Sequence, residues 1–360
     1  MTLSASPRPG AAAAPSSDPY VAVETLYHAF LTGLILSTVL QRGRAGAAEL
    51  VFHTFRRQHL EKFLPGLRKL GLDRLPHAVA CAQYHYLSNA LGGVKVEYMP
   101  ESDRKAWVRY VPPRWIWMGT AICGVPTEVS RAMLRAWHAH NGVSLGNPRL
   151  GFVCTKQTTD GQPGLEGYYR EYDRDLAEHE RLRFAPGEEG PDFDPALAPK
   201  AEGPDWPAER LRKVQRNYAM DYVRSILPEL VRLFGAAPGG ELGRQAGKLI
   251  GMQFYDETAR LLGVYGTDAA AFGAYLTRMA QAQEDEAAWE PAGAGAIVIR
   301  QRTWRLARGI EPVPPGVFEA WNGLWEGALA VHNRHLALAV TRRLDRGDAV
   351  TEWSVRPRSR

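Results

Sequence analysis

The chain reads as an α+β protein made of two tandem related modules. Three observations predict this. Apolar residues first recur at helical spacing and then at every second position; that change of period occurs twice; and a Pro-, Gly- and acid-rich stretch, 186–209, separates the two occurrences. Each module is expected to combine helices with an antiparallel sheet, and the two to pack about an approximate twofold axis as a pseudo-dimer. The expected organisation is a disordered tail over 1–18, a first module over 19–185, the linker, and a second, degenerate module over 210–357.

In the first half, Leu26, Phe30 and Leu34 stand four apart, and Leu50, Phe55, Leu60, Phe63 and Leu64 continue a helical pattern over about 20–71. A further helix spans His77 to Leu91 and stops at Gly92-Gly93. The segments VKVEYMP and AWVRYVP alternate with period two about Glu101-Ser102-Asp103, which predicts a hairpin. After Pro126, Val129, Met133 and Trp137 form one helical stripe with Thr127 as its cap. RLGFVCTKQT and GLEGYYREYD close the half as a hairpin about Asp160-Gly161.

The second half repeats the order. Helical patterns begin at Leu211, Leu242 and Asp268, GAIVIRQRTWRLARG reads as a strand, PGVFEAWNGLWEGALAVHN reads as a helix, and HLALAVTRRLDRG with DAVTEWSVRP forms the last hairpin. An offset of 186 residues places Thr155-Lys156 on Thr341-Arg342, Gly161 on Gly347, and Cys154 on Val340.

Composition bounds the partners. Apolar residues at 45%, charged residues at 23% and a net charge of +5 are ordinary for a globular protein. The densest cationic stretch, Arg56 to Lys62, sits among Phe55, Leu60, Phe63 and Leu64 and reads as a solvated helix face, so no nucleic-acid partner is expected. The first residues lack the apolar centre of a secretory signal, and the run Leu31 to Leu40 is about half of what spans a bilayer. A cytoplasmic protein without a membrane partner is expected, and a homo-oligomer is left open.

The reactive residues are unevenly distributed. All three cysteines and eight of the ten histidines precede the linker, which makes the first module the expected seat of the chemistry. Cys123, between the first hairpin and a helix, is the candidate nucleophile, because a helix terminus favours a thiolate. Cys154 reads as structural, since its counterpart is Val340, and Cys81 reads as core. His138, beside Trp137, and His85, between Tyr84 and Tyr86, are the candidate bases. His138 and His140 are two apart and so cannot share a metal on one helix face, and Glu24, His28 and His53 lack the further carboxylates of a diiron site. No metal and no cofactor are expected, and no nucleotide or common hydrolase motif is present.

The order helices, hairpin, helix, hairpin, with Cys123 and Trp137 in the middle and a glycine in the last turn, resembles the L-2-amino-thiazoline-4-carboxylic acid hydrolase-like family. More distantly it is similar to four-vinyl-reductase-type ligand-binding domains. The family's last hairpin carries Gly-Asp, two residues and Cys; the second half keeps Gly347-Asp348 with Thr351 at the cysteine's place, and the first half has Gly161-Gln162 and Leu165. The resemblance implies hydrolysis of a C–N bond in a cyclic amidine or thiazoline-like metabolite, with Cys123 as nucleophile, a nearby histidine as base, and Arg109 or Lys156 holding a substrate carboxylate. The alternative is a small-ligand-binding or sensor protein whose pocket is lined by aromatics such as Tyr84, Tyr86, Trp115, Trp117, Trp137, Tyr168 and Tyr169.

Overall fold

A computed structural model describes residues 17–112, 118–200 and 207–358. Trp115, Trp117, most of the expected N-terminal tail and positions 201–206 of the linker lie outside the described residues. The protein is α+β. Its first half runs α1 (Pro19–Lys69), α2 (His77–Leu91), β1 (Val96–Ser102), β2 (Lys105–Tyr110), α3 (Thr127–Ala136), α4 (Asn141–Ser144), β3 (Leu150–Lys156), β4 (Leu165–Glu171) and β5 (Leu182–Phe184). The second runs α5 (Ala208–Phe234), α6 (Ala236–Leu261), α7 (Ala269–Ala282), β6 (Ala287–Gly293), β7 (Ala296–Gln301), α8 (Val317–His332), β8 (Leu336–Arg342) and β9 (Thr351–Pro357).

Helix α1 is two helices joined at Gly43, whose φ of 70° breaks the helical path at a residue with no Cβ to oppose it. Thr127 does not cap α3. Pro126 holds the cap position in extended conformation, and the Thr127 hydroxyl instead meets that of Thr159 at 3.2 Å, tying the helix start to the β3–β4 turn.

The sheets have matching order. The first is β1-β2-β4-β3-β5 and the second β6-β7-β9-β8, antiparallel throughout except for β5, which runs parallel to β3. An irregularity falls between Cys154 and Lys156 opposite Glu166, and another between Val340 and Arg342 opposite Glu352, 186 residues apart in each strand. Such a bulge aims the side chains that follow it in a new direction. After each hairpin's short helical turn, Gly161 (φ 79°) and Gly347 (φ 90°) take up the left-handed conformation.

One face of each sheet packs on helices, and an apolar core continues through both halves. In the first sheet Tyr110, Phe152, Leu165 and Tyr169 face this core, whereas Met99, Trp107, Val153 and Tyr168 form a separate cluster on the other face. The start of the linker covers that outer cluster through Ala185 and Phe193.

The leading helices are exchanged between the halves. In the first segment of α1, Tyr27 Oη donates to Gln283 Oε1 at 2.7 Å beside α7 and accepts from Trp321 Nε1 of α8 at 3.0 Å. Reciprocally, α5 lies on the first half: Tyr218 donates to Asn89 at 3.2 Å and Asp221 pairs with Lys62 at 2.8 Å. Among the described residues, α1 alone is long and apolar enough to cross a membrane by composition, and 56% of its apolar window is buried within the fold, as befits a core helix.

Helices α6 and α8 meet backbone to backbone. A Cβ on Gly251 would lie 2.1 Å from the Leu324 carbonyl oxygen, and one on Gly327 would lie 2.1 Å from that of Lys248. Neither backbone has a flexible end that can yield. Gly251→Ala is therefore expected to cost about 3 kcal/mol in urea unfolding, and a loss under about 1 kcal/mol would mean that the helices separate freely.

Candidate functional site

A cavity of about 200 Å³ lies between α2, the first sheet and α3, and is closed on its remaining side by the second segment of α1 and by α5. Its centre is a pair of histidines. His85 comes from α2, and His138 from the single helical turn that follows α3. Their rings stack at 4.2 Å and 11°. Each is anchored to a tyrosine of the sheet: Tyr110 Oη lies 2.7 Å from His85 Nδ1, and Tyr169 Oη lies 2.6 Å from His138 Nδ1. Asn141 donates to Tyr169 Oη at 3.1 Å. The Tyr169 hydroxyl proton is then assigned to His138 Nδ1, which leaves the ring proton of His138 on Nε2.

The site is built to hold uncharged rings. Burial pushes His85 down to about 3, so it is neutral at neutral pH. Nearby His59 is also pushed down to about 3, by burial first and then by His140, His85 and Arg56; its Nε2 meets Ser144 Oγ at 2.9 Å. His85 Nε2 is buried and has no hydrogen-bond partner among the described residues, and the same holds for Trp137 Nε1. An unmatched buried polar atom costs roughly 1–3 kcal/mol, so two beside one cavity mark where a guest would find polar partners.

Aromatic and apolar side chains form the walls: Tyr84 meets the His85 ring edge-on at 5.6 Å, and Phe55, Met133, Trp137 and Leu165 supply the rest. Helix α5 adds Tyr218 and Tyr222, which also hydrogen-bond to each other at 3.1 Å. Lys62 and Asp221 stand at the mouth, with side chains 43% and 36% exposed.

The structure thus brings His85, His138, Trp137 and Tyr84 to one cavity and leaves the other expected site residues elsewhere. Cys123 is exposed on the turn Gly119–Gly124 and does not line the cavity, so no thiol joins the histidines. Cys154 and Cys81 are buried, and burial raises both thiols, Cys154 to about 12.

Arg109, Lys156 and Tyr168 are on the opposite face of the sheet, because successive strand residues alternate sides. Leu165 lines the cavity and Tyr169 faces the same helix-covered side behind His138, whereas Tyr168 and Glu166 are on the other side of the sheet. Arg109 and Lys156 do hold a carboxylate, but it is the protein's own: Glu166, fully buried, accepts from Arg109 Nε at 2.5 Å and Thr155 Oγ1 at 3.1 Å, with Lys156 Nζ at 3.3 Å. Arg109 further reaches Glu97 at 3.0 Å, and the Gly190 N–H of the linker donates to Glu166 at 3.2 Å. Arg300, Glu352, Glu290 and Thr341 repeat this set on the second sheet.

Residues without a sequence signal complete the site. Tyr110 stands on the strand that AWVRYVP predicts, without a signal for which face turns inward, and Tyr218, Asp221 and Tyr222 come from the other half on α5, which periodicity does not report. His140 is not a second cavity histidine; its ring lies 5.2 Å from that of His59. Among the described residues no three histidine, cysteine or acidic side chains are grouped to hold a metal ion. Comparison with models of protein families, with characterised proteins and with solved structures returned no match.

Proposed function

We propose that this chain is a small-molecule-binding protein whose first half holds a small planar ring in the His85–His138 cavity, and that its halves arose by tandem duplication. The single observation that carries the binding reading is the buried, unmatched Nε2 of His85 at an aromatic-lined cavity. The volume of about 200 Å³ lies below the ~300 Å³ at which drug-sized pockets begin, so the guest is about one ring in size. A neutral His85 suits hydrogen bonding to such a guest better than proton abstraction, which needs a pKa near the working pH. The common strand order, the paired bulges and the repeated Arg-Glu-Thr set support duplication.

The hydrolytic reading implied by the family resemblance would have to work without Cys123, whose thiol is on an exposed turn. Phenol is a suitable probe for the binding reading. Titration calorimetry should give saturable binding that His85→Phe weakens about tenfold and that Ser88→Phe, which fills the cavity, removes. Phenol binding indifferent to Ser88→Phe would place the guest elsewhere and end this reading.

A further inference from the structure

The geometry points to a second, oxyanion-binding chamber beside the ring cavity, so that the ligand is a small ring carrying a carboxylate or phosphate. This rests on the binding reading above. The Lys62–Asp221 pair lines both the ring cavity and an adjoining cavity of about 280 Å³. The rest of the second chamber's polar wall is Asn217 and three arginines: Arg224 from α5, and Arg305 and Arg308 at the short turn after β7. A guest seated over His85 thus has one ion pair between its ring and three guanidinium groups.

Two of these groups are already oriented. Arg224 donates to Glu61 at 2.6 Å and to the Arg308 carbonyl at 3.1 Å. Arg305 is paired with Glu284 and donates to Asn217 at 3.1 Å. Both terminal nitrogens of each are engaged, and Arg224 Nε lies 3.8 Å from Asp221, so these two guanidiniums are fixed in place and supply an oriented positive field more than free donors. The Arg308 guanidinium makes no hydrogen bond or ion pair among the described residues, and its residue is exposed. It is the charge with least to give up on binding. Asp221 is the competitor: it occupies Lys62 in the free protein, and a ligand oxyanion would take its place.

All of these groups except Lys62 belong to the second half, which gives that half a part in a site centred in the first. The test compares phenol, phenyl phosphate, benzoate and inorganic phosphate by calorimetry on the full chain. Phenyl phosphate is expected to bind about tenfold tighter than phenol. Arg308→Gln should shrink that gap to about threefold or less while leaving phenol binding intact, which also shows that the variant is folded. Asp221→Asn should widen the ratio, because Lys62 is then released.

Benzoate binding tighter than phenyl phosphate assigns the chamber to carboxylates, benzoate matching phenyl phosphate shows that it takes either oxyanion, and benzoate matching phenol assigns it to phosphates. Phenol and phenyl phosphate binding equally would overturn the second chamber and leave the ring cavity standing. If no ring probe binds, both fail. Inorganic phosphate binding as tightly as phenyl phosphate without competing with it would make the cluster an independent ion site, and would overturn the proposal.

Discussion

Trp321→Ala should lower the unfolding free energy by about 4 kcal/mol, the middle of the range for truncating a buried aromatic. Trp321 is buried, and its ring packs against those of Trp304 at 5.0 Å, Trp325 at 5.3 Å and Trp353 at 6.0 Å. Its indole N–H is also the bond to Tyr27, so the substitution removes packing and loosens the exchanged first segment of α1 together. This cluster packs between α8 and the second sheet. Urea unfolding of the variant checks the value. A loss below about 1.5 kcal/mol would mean that the surrounding side chains close the gap.

The second large effect is at Glu166. Glu166→Gln should cost about 3 kcal/mol at neutral pH, since it leaves Arg109 and Lys156 without the buried charge that they enclose. Burial by itself would raise the Glu166 carboxyl, but the bonds from Arg109 and Thr155 and the charge of Lys156 outweigh it and hold the group below the usual carboxylate value. A carboxyl depressed in the folded state adds stability above its unfolded value of about 4.3, and that stability is lost as pH falls through the folded value. The difference between wild type and Glu166→Gln is therefore expected to be full at pH 7 and to shrink below about pH 4. Urea midpoints measured across that range test it. A difference that is constant with pH would show that the residue acts by shape rather than by charge.

These two residues also show where sequence reasoning stops. The alternation in GLEGYYREYD predicts strand β4, but the expectation that Tyr168 and Tyr169 both line one pocket fails, because adjacent strand residues point to opposite faces and only Tyr169 meets the helices. Arg109 and Lys156 are the right chemistry for a carboxylate, and their partner was in the sequence as Glu166. Only the register of β2 on β4, which sets Arg109 opposite Glu166, joins them. Cys123 was singled out for its position before a helix; the turn that carries it exposes it, away from the histidines. His85 and Trp137 were legible as aromatic-flanked positions on helices, and the stack of His85 on His138 was not.

By itself the sequence determined the α+β class, the order of the long helices, the hairpins β1–β2, β3–β4 and β8–β9, and the glycine turns at Gly161 and Gly347, but not strands β5 and β6, because the former depend on periodicity and on φ preferences between near neighbours in the chain. The tertiary structure alone decided that the first segment of α1 packs on the second half while α5 reaches onto the first, that a cavity lies beside the histidines while tryptophans pack beside the second sheet, and that Lys62 meets Asp221 at the cavity's mouth. Those outcomes depend on which buried faces meet across more than a hundred residues, as in the bond between Tyr27 and Trp321, a separation of 294 positions. An amphipathic stripe specifies that it must be covered; what covers it is settled by the shape and polarity of surfaces brought together from distant parts of the chain.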